Sequence, residues 1–155
     1  MANNNIAYNK YPQFDEYSYE LIKYMIDNNE VIWKLLKYNT PDAWDRPNLT
    51  KSEKVALIYK GSGITSDFRV FMDDGAPDVE VDEVCQVRIY PASLFPENRT
   101  VTSMGVVMET YSHYKINTLS NYTTRVDRIT KELLATFNGT NVHGIGNLTL
   151  SKLAL

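Results

Sequence analysis

Cysteine is all but missing from this chain of 155 residues. Cys85 is the single one, so no intramolecular disulfide can form, and the spaced Cys and His ligands of a structural zinc site are lacking. Histidine is nearly as scarce, with only His113 and His143, which leaves few bases to activate a nucleophile. Nowhere do apolar residues run for the roughly 18 positions that a membrane helix needs. The Asn-rich opening, Met1 to Lys10, lacks the basic region and apolar stretch of a signal peptide. No membrane partner is expected.

A further scarcity is local. No Lys or Arg falls between Asp73 and Glu83, where Asp73, Asp74, Asp78, Glu80, Asp82 and Glu83 gather, so the net charge of −3 comes entirely from this stretch. A chain with an acidic loop and no basic cluster is a poor candidate for wrapping nucleic acid, whose binding depends on neutralised phosphates. The loop does not follow the ligand spacing of a calcium loop, and acid runs of this kind are usually solvated. No metal and no cofactor are expected.

What is present suits an ordinary globular protein, with 43% hydrophobic, 23% charged and 12% aromatic residues. At this length roughly 70% of the open chain's surface can be buried, so one domain spanning 1–155 is expected to stand without staples. Within it, residues 1–12 read as a flexible arm, 13–60 as a helical part and 68–155 as a sheet with a helix. From Glu16 to Tyr38 the apolar residues Ile22, Met25, Ile26, Ile32, Leu35 and Leu36 recur at helical spacing around the break Asp27-Asn28-Asn29, which predicts two helices. Thr50-Lys-Ser-Glu53 matches a capping box and Gly61 supplies a stop, which predicts a short helix from Lys51 to Tyr59.

The second half turns to strands. Phe68 to Phe71 alternates weakly. Val84 to Tyr90 and Ser103 to His113 are rich in β-branched and aromatic residues, and the Pro91 to Arg99 stretch between them has turn chemistry, which predicts a long antiparallel hairpin. Asn121 is positioned to cap a helix carrying the stripe Val126, Ile129, Leu133, Leu134 and Phe137. Gly144 to Leu150 reads as a closing strand able to join the hairpin. The fold class is therefore α+β, with helices on one face of a small sheet.

Chemistry is thin. A catalytic reading would need Cys85, Glu109 and His113 to converge across the hairpin, although a lone cysteine in a strand is usually a small buried hydrophobe. Arg125, Arg128 and Lys131 read as the polar side of the last helix, either solvated or facing acids on another copy.

The stretch Ile26-Asp-Asn-Asn-Glu-Val-Ile-Trp-Lys-Leu-Leu-Lys-Tyr-Asn-Thr-Pro-Asp-Ala-Trp-Asp-Arg-Pro-Asn-Leu-Thr50 resembles the two-helix opening and Pro-rich connector of neck and tail-completion proteins, the tail-terminator-like proteins of long-tailed bacteriophages. Met104 to Lys115 resembles their central strand, Arg125 to Asn138 the following helix, and Gly144 to Leu148 the closing strand, while Phe68 to Asp82 has no counterpart. The resemblance implies a structural virion protein without enzymatic activity, assembled in the bacterial host cytoplasm into a homo-oligomeric ring, a hexamer, in the virion neck. Its partners would be the head connector or adaptor and the tail tube, with DNA passing through the channel unbound. In that setting the acidic loop would face the channel and repel phosphates. The subunit interface would involve Leu94, Phe95 and Arg99 of the hairpin with Arg125 and Arg128. Two other readings share the fold, a monomeric protein-protein adaptor and a small enzyme.

Overall fold

The computed structural model describes residues 16–74, 82–97, 102–143 and 145–154. Helices α1 (Tyr17–Asn28) and α2 (Val31–Lys37) are separated where the asparagines predict it, and one side chain does the separating. Asn29 Oδ1 accepts the Ile32 N–H at 2.8 Å while its Nδ2 donates to Glu132 and Thr136. The amide thus satisfies a free donor of α2 and ties the junction to a helix a hundred residues on.

Helix α3 (Lys51–Ala56) starts with the predicted capping box between Thr50 and Glu53. It stops well short of Gly61. The Leu57 carbonyl accepts the N–H groups of Arg69 and Val70, and the Tyr59 N–H donates to the Val70 carbonyl, so bridging to a later strand ends the helix before the glycine can.

That strand, β1 (Val70–Phe71), runs parallel to β2 (Cys85–Pro96), which pairs antiparallel with β3 (Thr102–Ser112). The sheet is mixed, in the order β1-β2-β3, and the α+β expectation holds. The hairpin is longer than the sequence suggests. Pro91 to Pro96, read as a turn, belongs to β2, with a register break between Pro91 and Ser93. Gly105 lies opposite Ser93, and a Cβ there would come within 2.5 Å of Ser93 Oγ, so a larger residue would require the serine hydroxyl to turn aside.

After β3 come the single-turn helix α4 (Tyr114–Asn117) and helix α5 (Arg125–Phe137). The cap of α5 is Thr124, whose Oγ1 accepts the Asp127 N–H at 3.0 Å, in place of the expected Asn121. Asn121 instead accepts from Thr123 in a turn. The closing strand does not join the hairpin either. Strand β5 (Gly146–Asn147) pairs with β4 (Asn141–Val142) as a separate ribbon. Hydrogen bonds from the Gly139 N–H to the Leu148 carbonyl and from the Leu148 N–H to the Thr140 carbonyl fold it back against α5.

The core lies between the helices and one sheet face. Leu21, Ile22, Trp33 and Leu36 meet Val87, Ile89 and Ile129, all fully buried. Val106 and Met108 pack against the same cluster, which identifies their side of β3 as the inner face. The arm expected at 1–12 lies outside the described residues.

Candidate functional site

Two of the three groups that a catalytic reading requires, Cys85 and Glu109, lie on opposite faces of the sheet. Cys85 is fully buried on the inner face, and burial pushes its thiol up to about 12 against the weaker pull of Arg125 and a hydrogen bond with Ser112. Glu109 lies opposite Arg88, on the other face by the alternation of the strand. His113 is buried at the start of α4, its Nδ1 accepting the Lys115 N–H and its ring 4.5 Å from that of Tyr114. A thiol this buried and this weakly acidic is a poor nucleophile. Native protein should therefore resist a maleimide at about pH 8, where an exposed thiol reacts readily, and react fully only once unfolded; rapid labelling of the native protein would mean that the strand opens.

The acidic stretch is placed only at its ends. Asp73 and Asp74 are exposed just after β1, and Asp82 and Glu83 lead into β2, whereas Asp78 and Glu80 lie outside the described residues. Two cations that the sequence keeps distant are brought in. Lys115 forms an ion pair with Glu83, which holds that carboxyl below its usual range. Arg88 donates to the Asp74 carbonyl at 3.2 Å, and its guanidinium stacks 4.3 Å from the Tyr111 ring centre.

Leu94 and Phe95 lie at the far end of the hairpin, 37% and 61% exposed, roughly 30 Å of strand away from Cys85 at about 3.4 Å per residue. Arg99 lies outside the described residues. Asp82 and Glu83 thus lie at the base of the hairpin and the apolar tip at its other end, while Asp73 and Asp74, which follow the parallel strand β1, lie partway along it beside Arg88. The hairpin's length comes from an unbroken β3 and a β2 that accommodates Pro91.

Arg125 corrects the sequence reading. It is not on a polar face but fully buried, so it cannot meet another copy. Arg128 is half-buried, paired with Glu132 at 3.0 Å and set over the Trp44 ring, beside a shallow depression lined by Thr123, Asp127 and Lys131. Among surface residues that the sequence did not single out, Tyr122 is 95% exposed at φ 65°, a conformation uncommon for a bulky side chain. The Asn-Tyr-Thr turn was its only trace.

The family model for YomW matches residues 29–154. The chain belongs to the YomW family. That family is phage-derived, and the match spans α2 through β5 and so includes the whole hairpin and the last helix. The chain matches no curated protein and no solved structure.

Proposed function

We propose that the chain is a structural virion protein of a tailed phage, forming a ring in the neck that completes or caps the tail and joins it to the head connector around the DNA channel. The observation that carries this reading is the hairpin. It extends from a fold whose cysteine and histidine cap are buried, and at its far end it exposes Leu94 and Phe95. Large apolar side chains on a projecting element are what interfaces use as anchors. The phage-derived family supports the setting. A hexamer closing through heterologous contacts would bring each tip against a neighbour. Acids such as Asp73 and Asp74, turned to the channel, would let the duplex pass without adhering.

The test is made in the particle. Leu94→Ser with Phe95→Ser should leave filled heads and finished tails unjoined, while the purified variant keeps its Tm within about 2 °C, as exposed positions allow. Complete infectious particles assembled without the protein would overturn the reading.

A further inference from the structure

The two flanks of the sheet are finished differently. On the β1 side, Ile58 bridges Val70 and the Leu57 carbonyl takes two N–H groups, which closes that flank. Beyond β1, the edge of β2 carries Pro91, with no N–H, and the register break beside it; prolines and bulges are how natural edges avoid recruiting another strand. Strand β3 has no such protection. Its 11 residues include no Pro, Lys or Arg, and among the described residues only β2 pairs with it.

The direction of its backbone groups follows from two hydrogen bonds. The Val87 N–H donates to the Arg69 carbonyl, toward β1, and the His113 N–H donates to the Val84 carbonyl, across the hairpin. Antiparallel pairs alternate, so the amides of Val107, Glu109 and Tyr111 face β2. Those of Val106, Met108, Thr110 and Ser112 point away from it, out of the free edge. Pro91, opposite Val106, obeys the same alternation, because its missing N–H falls on the outer side of β2 and breaks no ladder bond.

We propose that, ahead of any larger assembly, this chain pairs with a second copy of itself through β3, antiparallel and two-fold, into one continuous sheet. The matching edge on a second copy is its own β3, because the blunted flank of the mixed sheet and the two-residue strands β4 and β5 offer nothing of comparable length. Charge agrees. Glu109 is the only charged residue of β3. A two-fold centred on Val107 pairs the strand along its whole length, sets the outward-directed backbone amide of Val106 against Met108 of the other copy, and places Glu109 opposite Gly105. A centre at Glu109 would oppose two carboxylates. The pairing goes beyond the ring reading and does not depend on it. A two-fold makes both ends of an assembly alike, whereas a neck ring needs unlike ends, so the pair is a form that precedes assembly.

Light scattering and amide exchange on the full chain test this at roughly 100 µM, well above a micromolar Kd. The wild type should run at twice the chain mass, with the Val106, Met108 and Thr110 amides protected at high concentration and released on dilution. Val107→Lys places two ammonium groups across the axis while leaving the inner face of the hairpin untouched. It should weaken the pair by about tenfold with an unchanged circular dichroism spectrum. A wild-type monomer at this concentration would overturn the proposal, as would a pair indifferent to Val107→Lys. Protection that persists on dilution would assign the edge to the chain's own residues and overturn it too. A ring whose outward amides exchange freely would defeat the pairing and leave the ring reading standing.

Discussion

Arg125→Ala is expected to destabilise the fold by about 3–5 kcal/mol, the cost of breaking a buried polar network from one side, and to lower Tm by roughly 10–15 °C for a chain of this length. Its guanidinium is fully buried. Nε donates to the Ile116 carbonyl at 2.9 Å, Nη1 to those of Leu35 and Tyr38 at 2.5 and 2.9 Å, and Nη2 to that of Thr40 at 3.0 Å. Three of these acceptors belong to the end of α2 and the turn beyond it, where carbonyls have no helical partner and carry the negative end of the dipole. The carbonyls therefore stand where a carboxylate partner for this cation would otherwise be sought. Burial draws its pKa below the usual arginine value. Alanine would leave four acceptors facing no donor. Lysine, with one nitrogen and no fork, should lose most of the same stability. Chemical denaturation followed by circular dichroism measures both, and a loss under about 1 kcal/mol for Arg125→Ala would show that water replaces the guanidinium.

Trp33→Ala should cost a comparable 3–5 kcal/mol, from apolar area lost and a cavity that its neighbours cannot fill. Trp33 is fully buried among Leu21, Ile22 and Leu36, and its Nε1 donates to the Met25 carbonyl at 3.2 Å. Trp33→Phe keeps much of the volume and drops the hydrogen bond, so about 1–2 kcal/mol is expected. Urea denaturation distinguishes the two. Equal losses in the variants would mean that the hydrogen bond, and not the packing, dominates.

Much of this architecture is written locally and some of it is not. The break between α1 and α2 is legible because Asn29 acts on its own neighbours, and the capping box of Thr50 and Glu53 is a contact three residues long. The end of α3 is illegible because the Leu57 carbonyl is claimed by Arg69 and Val70, twelve and thirteen positions later. The proline at 91 looked like a turn because its type says so, while its tolerance in β2 depends on which way the missing N–H points. Arg125 was misread in spite of an available signal. It stands four residues before Ile129 and eight before Leu133, on the buried stripe of α5, and the polarity of its side chain outweighed its spacing. At the candidate surfaces, the exposed tip residues follow from the hairpin. The pairing of Glu83 with Lys115 spans 32 positions, and no local pattern announces it.

The clasp made by Arg125 also bears on how the protein is made. The carbonyls that finish α2 wait for a residue up to 90 positions further along, so a polypeptide still emerging from the ribosome has its first two helices and no means of sealing them. Completion of the N-terminal half is deferred until α5 has left the exit tunnel. The chain should accordingly gain its protease resistance in one late step, once α5 has emerged, and not piece by piece as the earlier helices appear.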